Sequence, residues 1–548
     1  MPKLVGLGTV KCPGQSVTPG FGGGRREKPF PGLVVHVLAA NRGPYPRIAE
    51  VHSGCAMYSS QRLRRPIVNR RAVAAAITIT VCLTAGLPGC ASQSPVASTP
   101  MSEVKQAPAL PGAPPISAND RVYTADQDSN TVSVINPKTN TVLGTIPFGK
   151  VRMDTNADVL GAMYDGEIDV HGLGFSRDGR YLDVIDVTTN AVHVIDTSSN
   201  KVVSTTYLGR APHEGFFSPD GNYLWVAERG LDTIAIIDWR KNQVVDRIRS
   251  EDGPSKVVFS PDGKLAYVNH LRADALDVID VASHKITTRV AIPGNAGGSS
   301  DEGISQDGKE VWLGMPGNGK TTTVFNTNTH RVVAVLNSGP RTNHPNFVTV
   351  AGVNYAYLTV GDLNQTLVYR RSTSGGPPTL VKRINDHGAG PHGIWPSADN
   401  TRIYVALQYS DALDVIDTKT MTVIKTLRIG QSPMALVYVA RSSAGSTTNL
   451  GRQGLGMRNE VLRVKVQGAK GAGTAQIRAL PGLDEIVIDV RGLSPNRAFT
   501  VYAARGRATT ALLTATSSAM GVIPEALAFV HFFANHYDKV ILRPGASR

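Results

Sequence analysis

The chain has 548 residues, too many for one domain and enough for two with a leader. Its formal net charge is +14, but residues 1–90 hold 12 Lys/Arg against 2 Asp/Glu, which leaves 45 against 41 in the rest, and no basic run follows residue 90; this argues against nucleic acid as a partner. The four cysteines are Cys12, Cys55, Cys82 and Cys90, so everything after residue 90 is without disulfides, Cys-ligated metals and CxxCH haem attachment.

Residues 1–56 are rich in Gly, Pro and Arg and show no periodicity. They are expected to be a disordered extension upstream of the true start at Met57. From there Arg62, Arg64, Arg65, Arg70 and Arg71 precede an apolar run, Ala72 to Leu87, which ends in Leu87-Pro88-Gly89-Cys90. The run is short for a membrane span, which needs roughly 20 residues. Residues 57–89 resemble a bacterial lipoprotein signal peptide with its lipobox, which implies cleavage before Cys90 and acylation of that cysteine. By the same resemblance, Ala91 in place of Asp implies the outer membrane, so the expected location is the cell envelope. Residues 90–119 are Pro/Ala/Ser-rich and read as an extended tether.

Residues 120–440 repeat one stretch of about 40 residues. Its clearest copy runs from His213-Glu214-Gly215 through the turn Ser218-Pro219-Asp220-Gly221, two apolar runs, and a second turn, Asp238-Trp239-Arg240-Lys241-Asn242. Pro and Gly set the first turn; Asp and Asn suit the second. The runs between are short and rich in Val, Ile, Tyr and Trp, which predicts four strands per copy. Equivalent first turns stand at 176–179, 260–263, 305–308 and 397–400, with a degenerate one near Ala351-Gly352. The first copy begins at Arg121 without an innermost strand, and residues 433–439 form an innermost strand and nothing else. The predicted fold is therefore all-β: a seven-bladed propeller closed by a C-terminal strand, which removes exposed sheet edges. The runs AYVNH, IYVAL and LWVAE resemble the bacterial YVTN-type propeller repeat, a resemblance specific for fold and uninformative about activity.

In such a fold the residues just before the innermost strands crowd around one mouth of the central channel. Alignment on Asp-Gly places His171, His213, Ser255, Asp301 (with a one-residue gap), His344, His392 and Met434 there. The candidate ligands are His171, His213, Asp301, His344 and His392, and imidazole with carboxylate suits a transition metal or a metal cofactor. Glu214, Glu228, His270, His387 and Met434 are expected as secondary groups on the same face. The loop from 150 to 170 carries Asp154, Asp158, Asp165, Glu167 and Asp169 and is expected to be a lid or a separate cation site. Gly317-Asn318-Gly319-Lys320-Thr321 lacks the strand–loop–helix context of a phosphate loop and reads as a hairpin.

The architecture and the histidine-lined mouth are similar to those of nitrous oxide reductase and dissimilatory nitrite reductase, with too few histidines for the first and seven blades rather than eight for the second. Lactonase propellers imply a carboxylate site for a divalent cation, for which Glu214, Asp301 and Glu302 are available. Three functions stay open: metal, cofactor or small-ligand binding; a metal-dependent oxidoreductase or lactonase-like hydrolase; and a protein-interaction scaffold docking an envelope partner. A monomer, tethered to the membrane through Cys90, is expected.

After a linker at 441–459, residues 460–548 read as a small β-sandwich-like domain with strands at VLRVKV, AQIRAL, EIVIDV, FTVYAA, ALLTA and KVILRP. Leu493-Ser494-Pro495-Asn496 resembles the turn before a strand of fibronectin-like sandwiches. A short helix is expected over 525–537, with His531 and His536 in packing or surface roles.

Overall fold

The computed structural model describes residues 113–149, 170–293, 298–316, 320–442 and 446–546. The signal segment with Cys90, the acidic loop at 150–169 and Gly317–Gly319 lie outside the described residues.

Seven four-stranded antiparallel sheets form the propeller. Blade 2 shows the pattern: Val170–Phe175, Tyr181–Asp186, Ala191–Asp196 and Lys201–Tyr207, innermost to outermost. Blades 3 to 7 begin their innermost strands at Pro212, Pro254, Asp301, Thr342 and Pro391. Blade 1 has Arg121–Asp126, Thr131–Asn136 and Thr141–Pro147, and Pro433–Val439 pairs with Arg121–Asp126 as its innermost strand. The ring thus closes as the sequence predicts. The second turn of six of the seven copies ends in the left-handed region, at Asn140, Asn200, Asn242, His284, His330 and Met421. Asparagine tolerates this conformation best, which explains its recurrence there. Ala351 and Gly352 both have positive φ, so the degenerate turn is a tight two-residue hairpin.

The second strand of six blades carries a buried aromatic at one register position: Tyr123, Trp225, Tyr267, Trp312, Tyr357 and Tyr404. Blade 2 has Asp183 in that place, opposite Gly174.

The C-terminal part is a seven-stranded sheet in the order 508–516, 498–505, 539–544, 459–466, 472–478, 484–491 and 523–530. Its outermost strands return into contact, so the sheet folds over a core that includes Ile477, Ile486, Phe499, Leu513 and Phe532. The expected helix over 525–537 is absent: Ile523–Val530 is a strand paired with Asp484–Arg491, followed by a turn. Ala526 and Ala528 are buried with Leu527 less so, a period of two. The open edge beside residues 484–491 overrides the helix propensity of Glu-Ala-Leu-Ala.

Candidate functional site at the channel mouth

The innermost strands carry a recurring irregularity at their heads. The pairing with the second strand skips one residue at His171-Gly172, His213-Glu214, Ser255-Lys256, Asn343-His344 and His392-Gly393, and in blade 1 at Met434-Ala435. Such bulges re-aim side chains. Here they bring non-adjacent blades into contact at the axis, as when His171 of blade 2 meets His392 of blade 7, with ring centroids 6.4 Å apart.

The register corrects one part of the sequence alignment. Blade 5 runs without a skip from Asp301 to Ile304, and the bulge of blade 6 places His344 second. Asp301 and His344 therefore stand level with Glu214 and Lys256, one step deeper than His171, His213 and His392. The site has two tiers.

In the outer tier, the His171 and His213 rings lie 4.4 Å apart. His213 Nδ1 donates to the Ser255 carbonyl at 2.9 Å, His392 Nδ1 to the Met434 carbonyl at 3.2 Å, and His171 Nδ1 to Gln127 Oε1 at 3.2 Å. With Nδ1 protonated, each ring keeps its lone pair on Nε2. In the inner tier, Lys256 Nζ lies 2.6 Å from Glu214 Oε2 and 3.3 Å from His344 Nδ1. His344 Nε2 is 3.0 Å from Asp301 Oδ1 and 3.8 Å from Glu214 Oε1. None of these three atoms makes a hydrogen bond, although all are buried. The His344 and His392 rings meet at a tilt, centroids 4.9 Å apart, and join the tiers.

Burial pushes His171, His213 and His344 well below the ordinary imidazole value, and His392 down to about 4. Nearby charges act in the same direction: Arg229 on His213, Lys256 on His344, Arg341 on His392. All four rings are neutral at physiological pH, the state that ligates a metal or accepts a proton. Burial raises Glu214, Asp301 and Glu302, against the pull of Lys256.

Not every expected group joins the ring. Glu228 is buried inside blade 3, bound to Thr233 Oγ1, the Gly209 amide and Arg247. His270 is buried inside blade 4 between Ser250 and the Ala275 carbonyl. Each end of a second strand faces its own blade, so both are structural. His387 is exposed beside Thr426 on the rim of blade 7. Met434 offers its carbonyl, and its sulfur sits near Ser432. Sequence reasoning missed Lys256 and Arg229; the latter binds Ser255 Oγ and, at 2.8 Å, Ser300 Oγ. A lysine inside the apolar strand Pro254–Phe259, in the column of Glu214, was the available signal.

Below the tiers lies a cavity of about 30 Å³, room for about two waters. Trp395 lines it, edge-on to Phe175 at 5.8 Å and tilted against Phe216 at 6.1 Å.

Residues 186–433 match the lactonase family of seven-bladed β-propellers. The matched segment contains His213, Glu214, Lys256, Asp301, His344 and His392. Among curated proteins, none matches the chain. Similar solved structures include hydrazine synthase of Kuenenia stuttgartiensis, at 18% identity and TM-score 0.44, with 49% of this chain and 89% of that one covered. A functionally unknown protein from Desulfotomaculum acetoxidans has 13% identity and TM-score 0.48, covering 58% and 98%. The periplasmic gluconolactonase PpgL of Pseudomonas aeruginosa has 19% identity and TM-score 0.45, covering 59% and 99%.

Proposed function

We propose that this protein is an envelope lipoprotein, anchored through Cys90, whose channel mouth holds a divalent transition-metal ion and hydrolyses a small cyclic ester. One observation carries the reading: the ligand atoms of His171, His213 and Glu214 lie within 4.8 Å of one another, as do those of Asp301, His344 and His392. Each set is two imidazoles and a carboxylate, a donor combination that suits a first-row divalent ion with open positions. The family match over residues 186–433 supports the hydrolytic chemistry.

The first set fits an ion better. Carbonyl or amide oxygens hold Nδ1 of both its histidines, the support that metal-ligating imidazoles ordinarily have, and Glu214 Oε1 has no other partner. The Lys256 ammonium touches both sets, at Glu214 Oε2 of the first and at Nδ1 of His344 in the second, and supplies positive charge without a metal. A bound ion would polarise an ester carbonyl and acidify a water. His344 takes the Lys256 ammonium on Nδ1 and so carries its proton on Nε2, toward Asp301; the Asp301 carboxylate is then placed to accept the proton of the attacking water, and Lys256 to stabilise charge that develops on the ester oxygen. The same Lys256 geometry favours a second reading, a metal-free acid–base site.

The test is elemental analysis of the purified full chain beside lactone hydrolysis followed by proton release, with His171→Ala and His213→Ala variants. About one ion per chain, lost in both variants together with turnover, supports the metal reading. Turnover that survives chelation and falls in Lys256→Met supports the second. Folded protein without metal and without turnover on any lactone sinks both.

A further inference from the structure

The C-terminal sheet docks on the face of the propeller that carries the histidines. Arg478 at the end of strand 472–478 is buried, accepted by Asp411 at 3.0 Å, by Glu485 at 3.0 Å, by Asp128, and by the Gln408 carbonyl at 2.9 Å. Asn459 Nδ2 donates to Asp411 Oδ2 at 2.6 Å. These contacts fix the sheet over blades 7 and 1. A second cluster reaches the mouth itself. The pairing of strand 523–530 with strand 484–491 skips between Val490 and Ile488, opposite residues 523–526, and within that bulge Glu525 has φ 42. A non-glycine residue in the left-handed region stores strain that the surroundings must offset. What it gains is direction: the Glu525 carboxylate accepts from the Arg341 guanidinium and from the Tyr409 hydroxyl.

Both partners belong to the propeller mouth. Arg341 directly precedes the innermost strand of blade 6, three residues before His344, and its guanidinium lies over the Tyr409 ring at 5.1 Å. Asp362 and Asp489 stand 3.7 and 3.9 Å away. The strand that Arg341 leads touches that of His392: Asn343 Nδ2 donates to the Pro391 carbonyl at 3.0 Å, and the His344 ring lies 4.9 Å from that of His392.

We propose that Glu525 is a positioning residue of the mouth: through Arg341 and Tyr409 it holds the C-terminal sheet as a roof over His392 and limits what reaches the two tiers. The sheet is then a working part of the site, a role that does not depend on whether the site holds a metal.

Chemical access to the histidines tests this without any assay of turnover. The chelator-treated full chain is exposed to limiting diethyl pyrocarbonate, and modification of each histidine is followed by peptide mass spectrometry. In Glu525→Gln, His392 is expected to react about tenfold faster, the change for losing about 1.4 kcal/mol from a charge-assisted clamp. His284, on the outer side of blade 4, should keep its wild-type rate. Tyr409→Phe, a milder change, should accelerate His392 in the same direction and serves if Glu525→Gln does not fold. Equal His392 rates in wild type and a folded variant would overturn the proposal, as would an equal rise at His284, which would signal general loosening. Failure of the hydrolase reading leaves this result untouched.

Discussion

Lys256→Met removes the one buried ammonium of the inner tier while keeping its apolar volume. Lys256 and Glu214 are paired at 2.6 Å with side chains only 8% and 1% exposed. Breaking such a pair by deleting one partner costs about 3–5 kcal/mol, because the remaining charge stays buried. At about 2.1 cal/mol/K of unfolding entropy per residue, a propeller of this size should melt about 4–8 °C lower near pH 8. The deficit must depend on pH in a fixed sense. Burial already holds the Glu214 and Asp301 pKa values above 4.5 and 3.8, and Lys256 restrains both. Without Lys256 they rise further, so the folded variant binds more protons than its unfolded chain above those values. Its deficit is therefore absent near pH 4 and grows as pH climbs through the folded pKa values. Differential scanning calorimetry of wild type and variant across this range measures it. A double variant with Glu214→Gln should recover part of the loss, because Asp301 and Glu302 still face the site. A melting difference that is the same at acid and alkaline pH, or absent near pH 8, would refute the assignment of Lys256 as the counter-charge.

His392, pushed down to about 4 from 6.5, contributes stability that is present above about pH 6.5 and lost as pH falls toward 4, up to about 3 kcal/mol by linkage; His392→Gln should flatten the melting temperature across that window. Asp183 has both carboxylate oxygens buried and unpartnered, so Asp183→Leu should raise the melting point near pH 8 by the equivalent of about 1–3 kcal/mol, with the gain shrinking in acid. A lower melting point would show that the carboxylate has a partner that the fold needs. Arg478→Met strands Asp128, Asp411 and Glu485 and should cost about 3–5 kcal/mol, seen in calorimetry as a C-terminal transition separating from that of the propeller.

The propeller was legible because its turns are chemical: Ser-x-Asp-Gly and Asp-x-x-x-Asn recur wherever the backbone needs them. The site was legible only by column. Counting back from Asp-Gly finds His171, His213 and His392 correctly, because their strands share the same bulge. It misplaces Asp301 by one level, because the one-residue gap lifts it from the column of Glu214, and His344, because the innermost strand of blade 6 runs on to Val350 and closes with the tight Ala351-Gly352 turn in place of Ser-x-Asp-Gly, which lengthens the count by one. Glu228 and His270 end their strands with the same polarity as a mouth residue, but the pleat turns them into their own blades. Glu525 was invisible for a different reason. Its position depends on a bulge in one sheet and an arginine more than 180 residues earlier, and its local sequence favours a helix.

The bulges also explain how a nearly symmetric ring makes an asymmetric site. Each one turns two successive residues of an innermost strand toward the top of the channel, so one repeat yields two tiers. In the inner tier, blades 3 to 6 present Glu214, Lys256, Asp301 and His344, while blades 7, 1 and 2 present Gly393, Ala435 and Gly172. The two glycines are not open space: a Cβ at Gly172 would stand 2.3 Å from the His213 carbonyl, and one at Gly393 2.4 Å from that of Met434. The Met434 carbonyl is the one to which His392 donates. Small residues on one side thus let neighbouring strands approach closely, at Gly393 onto the carbonyl that orients His392, and charged residues on the other side supply the inner tier. A ligand that enters from the histidine face meets the outer imidazoles first and the Lys256–Glu214 pair behind them. That order, neutral donors first and fixed charges behind them, is what a site needs to desolvate a small polar molecule before polarising it.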